Sequence, residues 1–267
     1  MKFRICAAAV VIACCGVGSA ASDEVTTSAQ VFDGHSTRIV ELLPLRSAQY
    51  LDSRLESLPE MNARVVKTML EYPRDGQHRY WWPRSSREGS YDGATTDVVV
   101  AGEVVMRGEP KSRSFCCGLT LELFYKTLGS RQELEDLWTS STGSAFKELW
   151  FCTALNAPGP EDAMTSYTIG ERIERREDVL PGDFVQIWRN SGSGHSVIFV
   201  DWARDKQGKV VGLHYWSTQP GTNGIAFTAE LFGAGGGMVD PLRTSYTRLK
   251  PRRDWDITRI RTAAGIP

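Results

Sequence analysis

The chain has 267 residues and a formal net charge of −1, with 31 basic against 32 acidic side chains. This balance gives no general attraction to nucleic acid or to anionic lipid surfaces. Its 41% hydrophobic residues are ordinary for a globular protein, and its length is enough for one good core, or for one core with an appended lobe.

The first 21 residues have the pattern of an export signal. Lys2 and Arg4 give a positive start, residues 5–17 are nearly all small or apolar, and residues 18–22 offer small side chains for cleavage. This apolar run is too short to span a membrane. An alternative interpretation is a lipoprotein signal in which Cys14 carries the lipid. We expect an exported protein, periplasmic or extracellular, without a membrane span.

Residues 22–75 are predicted to form an N-terminal extension that is partly helical. Its first part is polar with weak periodicity and predicts a flexible lead-in followed by a helix. From Pro59 to Leu70 the apolar residues recur on one helical face, and proline favours a helix start. We therefore expect the main domain to cover residues 76–267.

The first half of this main domain is predicted to be mostly helical. A loop over 78–93 contains the aromatic run Tyr80-Trp81-Trp82, which fits either packing or ligand binding. The β-branched segment 97–105 predicts a strand. Helices are predicted over residues 116–128, 131–138 and 145–155.

After Pro158 the pattern changes to short strands joined by tight turns. Strands are predicted over residues 184–188, 195–202, 209–217, 224–228 and 245–249. Helices followed by a meander of strands favour the α+β class. We therefore expect N-terminal helices packed on an antiparallel sheet of about five strands.

Three of the six cysteines lie in the export segment, which leaves Cys116, Cys117 and Cys152. An odd number cannot all pair within one chain, so at least one thiol is free or pairs outside it. Neighbouring cysteines rarely bridge each other, but a Cys117–Cys152 disulfide stays open. The four histidines are scattered and there is no Cys-x-x-Cys, so no metal site is expected.

Cys116 is the candidate nucleophile. The apolar stripe of its predicted helix is formed by Cys117, Leu121, Phe124 and Leu128, which places Cys117 in the core. Cys116 lies about 100° away, in the first turn. Unpaired backbone N–H groups and the positive end of the helix dipole lower the pKa of a thiol there. The other interpretation is that both cysteines are buried as small hydrophobic residues.

His195 is the candidate general base. It stands at the start of an otherwise apolar strand, and Gly192 and Gly194 leave room for a ligand or another backbone to approach. A strand edge that faces a helix N-terminus gives a base a rigid position and access to the nucleophile. A lone histidine of this kind also fits a purely structural role.

A third polar group is expected to hold the imidazole. Antiparallel pairing sets residue 195 roughly opposite residue 217, within about two positions. Ser217 and Gln219 fall there on the same face, and an amide oxygen is a good partner for an imidazole N–H. His214 is a competitor that needs an odd shift of register. Gln219 is the favoured candidate.

These residues resemble the bacterial papain-like cell-wall hydrolases of the NlpC and CHAP types. The Asp-Cys-Ser-Gly helix start of that family is similar to Phe115-Cys116-Cys117-Gly118-Leu119. Its Pro-Gly-Asp strand opening is similar to Pro181-Gly182-Asp183-Phe184-Val185, and its Gly-His strand to Gly194-His195-Ser196-Val197-Ile198. The Glu-x-Asn pair of CHAP members would fall on Ser217 and Gln219. The resemblance covers about residues 110–228.

The chain also departs from the family pattern. Phe115 replaces the usual aspartate, Cys117 replaces the serine, and the third residue of neither type is present unchanged. The separation of Cys116 from His195 is long for NlpC relatives, with residues 131–155 as the expected insertion. These departures leave the substrate specificity open.

The resemblance implies acyl transfer at an amide bond. Cys116 would attack the carbonyl, His195 would protonate the leaving amine, and water would release the acyl-enzyme. The backbone N–H of Cys116, with Tyr91 as a candidate second donor, would stabilise the oxyanion. The expected substrate is a peptidoglycan peptide or another amide, and no metal or cofactor is expected.

Two other functions remain open. The aromatic run and the missing family residues are compatible with an inactive papain-like domain that serves as a binding module. Transpeptidation or lipid acyl transfer on the same scaffold would use the same nucleophile, and the sequence does not separate these reactions from hydrolysis.

Overall fold

The computed structural model describes residues 27–74, 76–83, 91–129, 134, 137–152, 154–222 and 224–266. Helices in these ranges are α1 (Ala48–Arg54), α2 (Glu60–Leu70), α3 (Cys116–Leu128), α4 (Ser140–Trp150), α5 (Pro160–Ser166) and α6 (Ile257–Ala264). The strands are β1 (Thr27–Phe32), β2 (Thr37–Leu42), β3 (Arg79–Tyr80), β4 (Val98–Val100), β5 (Glu103–Met106), β6 (Arg113–Ser114), β7 (Gly170–Arg172), β8 (Phe184–Trp188), β9 (Gly194–Arg204), β10 (Val210–Thr218), β11 (Ile225–Leu231) and β12 (Ser245–Leu249). The predicted export signal with Cys14, and most of the helix predicted over 131–138, lie outside the described residues.

A six-stranded antiparallel sheet lies at the centre of the fold, in the order β11-β10-β9-β8-β12-β7. The prediction of a mixed fold of helices and sheet is therefore confirmed. The sheet has one strand more than the expected five or so, because β7 pairs with the outer side of β12. With three residues, β7 is too short to produce a periodic sequence signal.

The two faces of the sheet contribute to different hydrophobic clusters. Ile198 of β9 and Trp216 of β10 belong to the cluster that contains α3. Val197 and Tyr215, their neighbours in sequence, belong to a second cluster on the other face. Because successive residues of a strand point to opposite faces, the middle strands are buried on both sides.

The lead-in predicted to be flexible forms a β-hairpin. Strands β1 and β2 pair in register from Thr27↔Leu42 to Phe32↔Thr37. Alternate residues of the hairpin are buried against the outer part of the central sheet, and these are Ala29, Val31, Val40 and Leu42. This period of two is carried by few large side chains, so the segment has weak periodicity in the sequence.

Helix α2 belongs to the same hydrophobic cluster as α3, so the boundary predicted after residue 75 does not coincide with a break in packing. The side-chain amide of Asn62 in α2 donates to the carbonyl of Pro181 at 3.0 Å and to Asp183 Oδ1 at 2.7 Å. Both partners precede β8, so α2 is joined to the central sheet by polar as well as apolar contacts.

Two other predicted elements differ from the structure, and one observed helix was not predicted. The segment 97–105 is a hairpin of β4 and β5, because Ala101 and Gly102 turn the chain with φ of 50° and 80°. Helix α4 begins earlier than predicted, since the side chain of Thr139 accepts the N–H of Thr142 and caps it. The short helix α5 was not expected.

Candidate active site

Helix α3 begins at Cys116, and its first turn lacks a side-chain cap. Phe115 is the N-cap residue, with extended backbone and an aromatic side chain that cannot accept a hydrogen bond from the helix. The first helical bond runs from the N–H of Leu119 to the carbonyl of Phe115 at 2.9 Å. The positive end of the helix therefore remains unneutralised beside Cys116.

Gly118 lets this first turn approach another backbone segment closely. A Cβ atom at Gly118 would lie 1.9 Å from the carbonyl oxygen of Asp92. The carboxylate of Asp92 is itself held by Lys147 Nζ at 2.9 Å and by the N–H of Arg107 at 2.7 Å. The start of α3 is thus seated on a fixed loop, which fixes the position of Cys116.

The structure brings Cys116 and His195 together. The pKa of the Cys116 thiol is held well below its usual value by a hydrogen bond from the Cys117 side chain, which acts against burial. The charge and hydrogen bonding of the His195 imidazole and the backbone N–H of Ser196 also favour the thiolate. Both side chains are nearly enclosed, since Cys116 is 7% exposed and His195 is 3% exposed.

The pKa of the Cys117 thiol is shifted in the opposite direction to that of Cys116. Its side chain lies in the core cluster, and burial, followed by the hydrogen bond to Cys116, raises the pKa of its thiol. Burial and the nearby charge of Cys116 raise the pKa of Cys152 to about 12. All three cysteines are free, so the Cys117–Cys152 disulfide that the sequence left open is absent.

None of the three candidates for the third position is hydrogen-bonded to His195 within the described residues. Gln219 Oε1 instead accepts from Arg189 Nη2 at 3.4 Å and lies 3.2 Å from the hydroxyl of Tyr215. Ser217 Oγ donates to the carbonyl of Ser196 at 2.9 Å.

His214, the other candidate, lies too far along the sheet from His195 to hold its imidazole. It pairs with Asp201 of β9, six residues after His195, and its Nδ1 accepts the N–H of Arg46 at 3.1 Å. The hydrogen bond expected from Gln219 to the imidazole is therefore not formed, because Gln219 is engaged with Arg189 and Tyr215.

Tyr80, which the sequence named only as part of the aromatic run Tyr80-Trp81-Trp82, lies near the thiol. Parallel pairing of β3 with β6 sets Tyr80 beside Ser114, two residues before Cys116. Burial and the negative charges of the two neighbouring cysteines raise the pKa of its phenol, so the hydroxyl keeps its proton. This arrangement depends on a contact between distant segments, for which no local sequence signal exists.

Tyr91, the second oxyanion donor suggested by the sequence, is used elsewhere. Its hydroxyl donates to the carbonyl of Trp81 at 3.1 Å, and the two rings stack with centroids 5.0 Å apart. Trp81 is further covered by the guanidinium of Arg113, 3.5 Å from the ring centroid. Trp82 remains 47% exposed and lies edge-on to Phe115. In this aromatic run Trp81 therefore packs against its neighbours, whereas Trp82 lies partly at the surface.

Within the described residues there is no group of three or more His, Cys, Asp or Glu side chains that could hold a metal ion. No helix in that part of the chain is long and apolar enough to cross a membrane. Comparisons with protein-family models, with curated proteins and with solved structures found no match to this chain.

Proposed function

We propose that this chain is an exported, thiol-dependent amide hydrolase of the papain-like type, with Cys116 as nucleophile and His195 as acid and base. One observation carries the proposal: a thiol with a lowered pKa at an uncapped helix N-terminus, beside an imidazole at the start of a strand. These features are what an activated cysteine nucleophile requires.

The reaction follows from the chemistry of the pair. The Cys116 thiolate attacks the amide carbonyl carbon and forms the C–S bond, and the carbonyl oxygen takes the negative charge. The His195 imidazolium gives its proton to the leaving nitrogen as the C–N bond breaks. Neutral His195 then takes a proton from water, which attacks the thioester, releases the acid and restores the thiolate.

The oxyanion has two candidate donors. The backbone N–H groups of the first turn of α3 have no side-chain cap, and the phenol of Tyr80 stays protonated near the sulfur. Both are hydrogen-bond donors, one set carried by the helix start and the other by a residue whose backbone pairs with β6, and donors placed before the reaction can stabilise charge as it develops. Tyr80 takes the role for which the sequence had suggested Tyr91.

The proposed substrate is a peptide of peptidoglycan. The basis is the similarity of three short motifs, around Cys116, Gly182 and His195, to cell-wall hydrolases, together with the export pattern of residues 1–21. Cell-wall peptides are the natural amide substrates for an exported bacterial enzyme of this kind.

Mass spectrometry of peptidoglycan digests tests the proposal. Wild type is expected to release new peptide fragments, and Cys116→Ala and His195→Ala are expected to lose this activity by about a thousandfold or more, because removal of one member disables the pair. Cys152→Ala serves as the matched control, since Cys152 is also a free cysteine close to the site but has a raised pKa.

Iodoacetamide labelling identifies the reactive thiol without any assumption about the substrate. Labelling at pH 7 should fall on Cys116, and Cys117→Ser should retain it, because a serine hydroxyl still donates a hydrogen bond to the sulfur. If label falls on Cys117 and not on Cys116, the assignment of the nucleophile is wrong.

A second candidate function is a binding module without catalysis. The observation that favours it is the near-complete enclosure of Cys116 and His195, together with the buried His195 Nε2, which lacks a hydrogen-bond partner among the described residues. A wild-type protein that binds peptidoglycan fragments in calorimetry but leaves them uncleaved would establish this function instead.

A further inference from the structure

The imidazole of His195 lacks the hydrogen bond that usually orients a catalytic histidine. Its Nε2 atom is buried and has no partner among the described residues. A general base needs a fixed ring orientation, because proton transfer depends on hydrogen-bond geometry. Another contact must therefore set the orientation of this ring.

The ring of Tyr215 supplies such a contact. Its centroid lies 5.6 Å from that of His195, with the planes at 73°, an edge-to-face arrangement. Tyr215 is fully buried on β10 and pairs with Phe199, so the central sheet fixes its backbone. The imidazole is thus packed against an aromatic ring that cannot move without disturbing the sheet.

A polar cluster holds the other end of the Tyr215 ring. The hydroxyl donates to Glu230 Oε1 on β11 and lies 3.2 Å from Gln219 Oε1. Glu230 forms two hydrogen bonds with Arg189, from Nε and Nη2, both at 2.6 Å. Arg189 also donates to Ser193 Oγ at 3.2 Å, in the loop that leads into β9.

This cluster is closed and largely shielded from solvent. The side chains of Arg189 and Glu230 are 16% and 14% exposed, and their charges compensate each other. Charge-assisted hydrogen bonds in such surroundings are short and directional. Arg189 and Ser193 bracket the loop before His195, so the cluster connects the strand that carries the base with the residues that fix Tyr215.

We propose that Tyr215 is a positioning residue for His195, anchored by Glu230 and Gln219, and that its ring replaces the hydrogen bond of a third catalytic residue. The proposal rests on the proposed function of the Cys116–His195 pair. According to this proposal, Gln219 acts on the imidazole of His195 only through its contact with Tyr215.

The test measures how the rate of iodoacetamide reaction at Cys116 depends on pH, with the label localised by fragment ions. Tyr215→Phe keeps the ring and the buried volume but removes both contacts of the hydroxyl. We expect the alkylation rate at pH 6 to fall about threefold or more, because a less ordered imidazole stabilises the thiolate less well.

Tyr246→Phe is the matched control. Tyr246 lies in the same hydrophobic cluster as Tyr215, its hydroxyl has no hydrogen-bond partner among the described residues, and its ring contact is with Trp202. This variant should leave the alkylation profile unchanged. Turnover gives a second readout, in which Tyr215→Phe should lower kcat and leave KM unchanged.

The outcomes separate the two proposals. If the pH midpoint of Cys116 alkylation is low in wild type and unchanged in folded Tyr215→Phe, the hydroxyl contacts with Glu230 and Gln219 do not anchor the ring for its positioning role. The proposal as stated is then wrong, and the proposed function stands. If wild-type Cys116 titrates near the ordinary thiol value of about 8.5, the proposed function itself is wrong. A profile that shifts equally in Tyr215→Phe and Tyr246→Phe reflects general loosening of the core and also overturns the positioning role.

Discussion

At the scale of single residues, Gly118 determines where the candidate nucleophile can lie. The first turn of α3 rests on the backbone of residues 92–93, and hydrogen at the α-carbon is the only substituent that fits there. The neighbouring Cys117 is buried, so the turn cannot rotate to relieve a clash without exposing an apolar side chain.

Gly118→Ala is therefore expected to be strongly destabilising. The new methyl group would overlap a backbone carbonyl, and relieving the overlap by moving α3 should cost about 1–3 kcal/mol or more of the free energy of unfolding. Urea denaturation measures this loss. Gly221→Ala is the control, since a Cβ there meets no atom within 4 Å and the backbone φ is not positive. Equal stabilities of the two variants would contradict the packing argument.

At the scale of elements, β10 carries a buried histidine unrelated to the site. His214 is 1% exposed, and burial lowers the pKa of its imidazole to about 4, with the charge of Arg46 acting in the same direction and that of Asp201 against it. Its neutral Nδ1 accepts the N–H of Arg46, which ties the segment after β2 to the sheet.

This pKa gives stability a pH dependence with a defined sign. The unfolded imidazole, with a pKa of about 6.5, takes up a proton before the folded one does, so stability is lost as pH falls from about 6.5 toward 4. The loss should reach about 3 kcal/mol at pH 4. Urea unfolding at pH 7 and pH 4.5 measures it, and His214→Gln should flatten the difference. The exposed His35, changed to glutamine, should leave it intact.

The elements that the sequence predicted well are those with strong local signals. The observed bounds of α3, β8 and β12 are the predicted ones, because apolar periodicity and the flanking turn residues fix them locally. The β1–β2 hairpin was missed because its buried face carries few large side chains. Helix α5 has only seven residues, fewer than a periodic pattern needs.

Some features of the candidate site could likewise be predicted from the sequence, and others could not. The proximity of Cys116 and His195 could be predicted, since a helix start and a strand start are recognisable from sequence. The partners of Gln219 could not, because they depend on side-chain conformations beyond the end of β10. The position of Tyr80 depends on the pairing of β3 with β6, which are two residues each.

At the scale of the whole molecule, the N-terminal helices and the sheet form one packing unit. Gly182, with φ of 91°, places its α-carbon so close to α2 that an added Cβ would lie 2.7 Å from the carbonyl oxygen of Asn62. The next residue, Asp183, is fully buried and binds Asn62 and Arg248 together. The turn before β8 is thus in close contact with α2.

This arrangement predicts the effect of two truncations. A chain that starts at residue 76 loses the buried side chains of α1 and α2, which are Leu51, Met61, Val65, Val66 and Met69. Each contributes roughly 1.5–3 kcal/mol by burial, and together they match the roughly 5–15 kcal/mol that stabilises a typical domain. The shortened chain should not fold, as judged by loss of the cooperative unfolding transition and of near-ultraviolet circular dichroism.

A chain that starts at residue 44 is the matched comparison. Of the elements that the structure describes, it lacks only the β1–β2 hairpin, which belongs to a separate cluster at the outer edge of the sheet. We expect it to fold cooperatively with a lower free energy of unfolding and to retain thiol reactivity at Cys116. Cooperative folding of the chain that starts at residue 76 would instead mean that the sheet and α3 form an independent domain, because the contacts of Asn62 with Asp183 would then be dispensable.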